Sequence, residues 1–222
     1  MSSARPLVSE GLGTAFLLAV VAGSGIMAER LAGGNVALAL LANALATGAG
    51  LTALILAFGS VSGAHFNPVV TLAEAIEHRM SRRLAFAYVL AQTCGAVAGV
   101  AVAHTMFGEQ VFSFSSHIRT GWPQWWSELV ATAGLLLVIR GTSRNWPAAT
   151  PFAVGAYITS AYWFTASTSF ANPAVTLART LTASFSGIRP VDAPGFIAAE
   201  LLGAVMATLL GRWLFRPAPA VT

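Results

Sequence analysis

Charge is what this sequence has least of. Of 222 residues only 9% are charged, whereas 56% are hydrophobic. A soluble domain carries roughly a quarter charged residues. A chain this poor in charge cannot clothe itself for water, which leaves the bilayer as its solvent. Lysine is absent, so all 12 basic residues are arginine, set against 8 acids. These arginines lie scattered between apolar runs and form no stripe, which excludes a nucleic-acid surface and suits the asymmetric loops of a membrane protein. Cys94 is the only cysteine. There is therefore no intrachain disulfide and no cysteine-based metal site, and Cys94, inside an apolar run, reads as a small packing residue. His78, His104 and His117 fall in separate loops or ends without ligand spacing, so no metal is expected. No phosphate loop and no Ser-His-Asp order with local support is present. Neither an enzyme nor a cofactor is indicated.

What is present is length in apolar runs. Six of them cover roughly 7–28, 36–58, 83–105, 126–142, 148–166 and 194–215. Each is near the ~20 residues needed to cross a ~30 Å hydrocarbon core. The first could be a cleaved signal peptide by its pattern alone. The runs that follow it favour a first transmembrane helix. Trp122, Trp125, Trp126, Trp146 and Trp213 lie near run ends, as in an aromatic belt at the headgroups. With six spans both termini share one side. That side holds Arg5, Arg79, Arg82, Arg83, Arg140, Arg144, Arg212 and Arg216, and the other holds Arg30, Arg119, Arg179 and Arg189. The excess of arginine places the termini in the cytoplasm.

Two shorter stretches echo one another. AHFNPVVTLAEAIE at 64–77 returns 105 positions later as SFANPAVTLARTLT at 169–182. Asn at an N-cap with Pro at the first helical position is a strong helix start. The segments 67–78 and 172–183 are too short to span and read as half-helices. Irregular backbone at membrane depth is tolerated only where it is buried in protein or lines a watery cavity. The echo extends to the runs themselves. Glu10-Gly11-Leu12-Gly13-Thr14 pairs with Glu128-Leu129-Val130-Ala131-Thr132, and Gln92 to Ala98 pairs with Glu200 to Met206. The chain, 1–222, is thus one domain built from repeats at about 7–105 and 124–215. Three spans per half is an odd number, so the halves are inverted, an arrangement that places the functional site near the midplane. Both half-helices then aim their N-termini at the centre, where free N–H groups and a partial positive charge repel cations. Asn67 and Asn172 offer donors there, and the extended segments Gly63 to Phe66 and Thr168 to Ala171 expose carbonyl acceptors. This describes a pore for small neutral hydroxylated solutes.

Ser62-Gly63-Ala64-His65-Phe66-Asn67-Pro68-Val69-Val70-Thr71 and Asn172-Pro173-Ala174, with Glu10, Glu128, Gln92 and Glu200 at matching places, resemble the aquaporins, the major intrinsic protein family. The resemblance covers about residues 7–215. It implies an all-α bundle of six transmembrane helices plus two re-entrant half-helices in an inverted 3+3 repeat, in a cell membrane and as a homotetramer. Pore-centre residues are then Asn67, Pro68, Val69, Asn172, Pro173 and Ala174. Backbone carbonyls of Gly63, Ala64, His65, Thr168 and Phe170 face the pore. Glu10 and Glu128 brace the loops before the half-helices. For Glu200 and Gln92, bracing and plain packing both remain open. Trp163 and Tyr162 are expected in core or lipid contact.

Most aquaporins follow the second Asn-Pro-Ala with an Arg that narrows the outer constriction. Here that position is Val175. Spacing from the two Asn residues carries three more constriction positions over: Thr47, Ser160 (or Ala161 after a one-residue shift) and Ser169. All are small and uncharged, so a wide constriction is expected, with cation exclusion left to the central half-helices. Arg179 is expected at the extracellular surface. The resulting expectation is a passive channel for small uncharged solutes. Water, glycerol, urea and neutral metalloid hydroxides are candidates, with arsenite and methylated arsenicals leading, because an Arg-less pore resembles the channels associated with bacterial arsenic resistance. A water-selective pore and, at greater distance, an ion-coupled carrier are the alternatives.

Overall fold

A computed structural model describes residues 4–215; Arg216, counted above for orientation, lies outside them. Among the described residues there is no strand. Eight α-helices follow in order: α1 Ala4–Leu31, α2 Val36–Ser62, α3 Pro68–Ile76, α4 Arg82–Phe107, α5 Trp122–Asn145, α6 Thr150–Phe164, α7 Pro173–Ala178 and α8 Ala193–Leu214. Six long helices frame two short ones, as the repeat predicts. By length and apolarity alone, helices covering Ala4–Leu31, Val36–Ser62, Arg82–Phe107 and Pro190–Leu214 suffice to cross a membrane. α5 is 24 residues long but carries Gln124, Glu128, Arg140 and Arg144, while α6 has 15 residues behind a 3-10 turn at Pro147–Ala149.

The starts and stops are local chemistry. Asn35 and Ser81 cap α2 and α4 by accepting the N–H of Leu38 and Leu84. Left-handed glycines, Gly63 and Gly108, end the same two helices, where a side chain would meet its own carbonyl. Asn67 and Asn172 cap α3 and α7 with Pro next in line. Both half-helices are shorter than the dozen residues expected. α3 stops at Ile76, and α7 passes after Ala178 into a 3-10 turn at Arg179–Leu181.

Polarity is inverted relative to a soluble fold. Phe16, Leu45, Phe86, Leu90 and Leu209 are exposed, while Glu10, Gln92, Glu128 and Glu200 are wholly buried. Lipid tails give helices no hydrophobic reason to associate, so close packing through small residues has to supply it. α1 packs chiefly on α4 and α2, and α5 on α8 and α6. At Gly95 an added Cβ would stand 2.1 Å from the Gly11 carbonyl oxygen, and at Gly203 it would stand 2.5 Å from that of Leu129. These two helix crossings, α1 on α4 and α5 on α8, thus depend on a missing side chain. Cys94 was expected to pack; it is exposed on the outward side of α4, because the packing edge of that helix runs through Gln92, Gly95, Ala96 and Gly99.

Each half-helix packs into the opposite half. Val69 of α3 joins Leu136, Ala204 and Ala207 of α5 and α8, and Val175 and Ala178 of α7 join Leu17, Leu18, Ala96 and Val100 of α1 and α4. This exchange brings the two capped N-termini together.

Candidate solute pore

Asn67 Nδ2 donates to the Ala171 carbonyl at 2.8 Å, and Asn172 Nδ2 donates to the Phe66 carbonyl at 2.9 Å. The side-chain oxygens of the same residues accept the N–H of Val69 and of Ala174. The two Asn side chains are therefore locked at both ends, and the short helices run outward from their meeting point in opposite directions. Helix N-termini face each other there; the carbonyls of Phe66 and Ala171 are satisfied across the junction, and the N–H groups of Val69 and Ala174 by the Asn of their own half-helix.

The loops leading to the junction are strained in the same way. Gly63, Ala64 and Phe66 have φ of 87°, 50° and 47°; Thr168, Ser169 and Ala171 have 63°, 48° and 47°. The 105-residue offset of the sequence echo is therefore repeated in the backbone. Left-handed non-glycine residues cost ~1–2 kcal/mol each, and buried carboxylates hold them in place. Glu10 accepts the N–H of His65 at 3.0 Å and of Phe66 at 2.7 Å, together with Ser62 Oγ at 2.6 Å. Glu128 accepts the N–H of Phe170 at 2.9 Å and of Ala171 at 2.7 Å. The alternatives for Gln92 and Glu200 resolve as bracing. Gln92 Nε2 donates to Glu10 Oε2 and to Thr71 Oγ1, and Glu200 Oε1 accepts from Asn172 N and Thr176 Oγ1.

A cavity of about 270 Å³ runs past the junction. Its walls are helical stripes with a spacing of four: Thr47, Leu51 and Ile55 on α2; Leu135, Ile139 and Ser143 on α5; Thr150, Val154, Ile158 and Tyr162 on α6. Residues four apart share a helix face. Gly63, Ala64, His65 and Phe66 line it from one loop, Ser169, Phe170 and Ala171 from the other, and Asn67 and Asn172 at the junction. Pro68, Val69, Pro173 and Ala174 sit behind, in the helix starts, with Val69 fully buried. Thr168 lies off the lining and stands beside Arg119, 3.5 Å from its Nη1. The His65 ring is held by Thr71 Oγ1 at 3.0 Å.

Three of the four constriction positions, Thr47, Ser169 and Val175, line this cavity and are buried. Ser160 does not. It is exposed, and its Oγ donates to the Tyr157 carbonyl in its own helix. Two residues past Ile158 is roughly 200° around a helix, so Ser160 points outward when Ile158 points in. Ala161, the other option, is buried but also off the lining. Tyr162 holds the place instead, its hydroxyl 3.2 Å from Thr47 Oγ1. Trp163 next to it is exposed. The period of Val154, Ile158 and Tyr162 was the signal in the sequence that pointed to Tyr162.

The expected surface position of Arg179 is also overturned. Its side chain is 1% exposed and lines the cavity. The guanidinium carbon lies 3.4 Å from the centroid of the Phe170 ring, and Nε donates to the Ser186 carbonyl. Arg179 follows Val175 by one helical turn, its N–H bonded to the Val175 carbonyl. A helical side chain leans back toward the N-terminus of its helix, which here means into the pore.

Comparison with known proteins fits this geometry. Residues 1–161 match the sequence profile of the Major intrinsic protein family. The chain is 56% identical over 214 residues to aquaglyceroporin AqpS of Rhizobium meliloti (strain 1021), covering 96% of this chain and 91% of that one. The chain belongs to the major intrinsic protein family. It is thus a membrane channel protein, of a family whose members are not enzymes. Aquaporin A of Dictyostelium discoideum is 34% identical over 159 residues, covering 66% of this chain and 56% of its own length. The X-ray structure of the aquaglyceroporin from Plasmodium falciparum superposes with a TM-score of 0.74, at 20% identity, over 97% of this chain and 98% of that one. This match establishes the aquaporin-like fold.

Proposed function

We propose that this protein is a passive channel for small uncharged solutes, with glycerol, water and the neutral hydroxides of trivalent metalloids as cargo. Arsenite leads among the metalloids, and methylated arsenicals follow. The observation that carries this reading is the constriction. Thr47, Ser169 and Val175 together give hydroxyls and a small apolar wall. Val175 stands where most aquaporins have an arginine. The high identity to an aquaglyceroporin supports the same class of cargo. Hydroxyl-bearing solutes exchange their water for Thr47 and Ser169 and for the donors at Asn67 and Asn172. The braced carbonyls lead them in and out. The two halves act as inverted copies around one pore, the protomers assemble as a homotetramer in the bacterial inner membrane, and both termini face the cytoplasm.

A solute panel in proteoliposomes tests this. Glycerol and arsenite uptake should exceed that of empty vesicles and rise linearly with the gradient. Absence of both fluxes would sink the proposal. A second reading, a water-selective pore, draws on Tyr162 and Arg179, two large side chains that enter the lining. Osmotic swelling without glycerol or arsenite uptake in the same vesicles is its signature.

A further inference from the structure

Two arginines line the cavity, and they differ in kind. Arg79 is exposed and engaged by Glu74 at 3.2 Å and Glu77 at 2.7 Å. Arg179 is buried and forms no ion pair among the described residues. A buried cation without a carboxylate is expensive, yet this one is held with care. Phe170 lies under the guanidinium, and its ring is itself fixed by Phe196 at 5.0 Å. Arg119 stands over the same ring at 5.3 Å and is held by the Gly187 carbonyl at 2.8 Å. One loop, 185–187, supplies carbonyl acceptors to both arginines. The Ser186 carbonyl and a ring face fix the position of Arg179 without neutralising it, so its charge remains directed at the pore.

A second observation points to the same place. Ser169 Oγ is buried, lines the cavity and has no hydrogen-bond partner among the described residues. A buried hydroxyl without a partner is costly. In a pore lining, a passing solute oxygen or water satisfies it.

We propose that Arg179 is the specificity-determining cation of this pore, set one helical turn beyond Val175, so that charge and width are controlled at separate positions. Val175 leaves room at the level of Thr47 and Ser169. Arg179, rooted one turn further along α7 with its guanidinium leaning back over Phe170, repels cations and presents N–H donors to the oxygens of solutes bearing hydroxyl groups. The site takes an oxygen-rich neutral solute, a polyol or an undissociated oxyacid, and rejects sodium and other monovalent cations. This rests on the channel reading above and deepens it.

The test measures three fluxes in the same proteoliposomes: water, glycerol and sodium, the last normalised to water. Wild type should pass water and glycerol and hold sodium out. Arg179→Gln and Arg179→Met should raise sodium leak relative to water at least about tenfold, since the fixed charge opposing cation entry is gone, and Arg179→Met, which has no N–H donor, should also lower the ratio of glycerol to water flux. Adding Val175→Arg to Arg179→Gln should suppress the leak again and abolish glycerol flux. Arg179 variants that conduct water yet leak no more sodium than wild type overturn the assignment. Val175→Arg alone reads the same point without touching Arg179. It should lower glycerol flux and leave sodium exclusion as it was. A wild type that leaks sodium, sealed by Val175→Arg, overturns the proposal as well. Wild type passing water but no glycerol sinks the wide-pore reading instead, and the sodium arms still report on Arg179.

Discussion

Glu128→Gln is the most exacting perturbation of the pore. Glu128 is wholly buried and accepts two backbone N–H groups, of Phe170 and Ala171, at 2.9 and 2.7 Å. Those bonds hold a loop in which Thr168, Ser169 and Ala171 are all left-handed. At ~1–2 kcal/mol per residue the strain totals ~3–6 kcal/mol. Two hydrogen bonds to a carboxylate contribute ~1.5–3 kcal/mol each, again ~3–6 kcal/mol. The loop is close to balance. Glutamine keeps one acceptor and turns an amide NH2 toward the other N–H. The loss is one charge-assisted bond plus a buried unsatisfied donor, about 3–5 kcal/mol together. The loop should relax, taking the Ala171 carbonyl away from Asn67 Nδ2. Since each 1.4 kcal/mol is about a factor of ten, water permeability should fall at least about tenfold in stopped-flow swelling of proteoliposomes matched for protein content. Glu109→Gln is the control. Its carboxylate is half-exposed and paired with Arg30 at 2.7 Å, a surface ion pair worth ~0–1 kcal/mol, so flux should not change. A Glu128→Gln protein with undiminished water permeability would refute the bracing argument.

Two further perturbations separate residues that look alike in sequence. Tyr162→Phe removes the hydroxyl facing Thr47 and should shift the ratio of glycerol to water flux, at a stability cost of about 0.5–1.5 kcal/mol; Ser160→Ala, on the outward face, should alter neither flux, and a changed ratio there would return Ser160 to the pore wall. Gly95→Ala places a methyl 2.1 Å from the Gly11 carbonyl oxygen, so α1 and α4 must part by about 1 Å, with a loss of about 1–3 kcal/mol; unfolding in detergent at the wild-type temperature would show that the crossing has slack.

What the sequence determined alone is whatever is local or repeated. Six apolar runs give the frame, because crossing a bilayer demands length and apolarity in one continuous segment. Asn67-Pro68 and Asn172-Pro173 start two helices, because a cap and its proline lie within one turn of what they cap. The repeat made Glu10 and Glu128 legible as a matched pair of buried acids, and their bracing role was legible only through the family resemblance, although a carboxylate at membrane depth needs donors. Tertiary structure decided the rest. Whether Gln92 and Glu200 brace or merely pack depends on Thr71, Thr176 and Asn172, residues about 20 to 30 positions away in the chain. The rotation of α6 about its axis decided between Ser160 and Tyr162, and that rotation is set by Leu135 and Ala44 packing against Val154 and Ile158. Counting back from Asn172 crosses the loop at 165–171, whose left-handed turns break any helical register. Arg179 shows the same limit from the other direction. Two turns past Asn172 it looked like a surface residue, but α7 is enclosed by α4 and α8, and the loop at 185–187 folds over it. Only that enclosure turns a side chain one turn past Val175 into part of the pore wall.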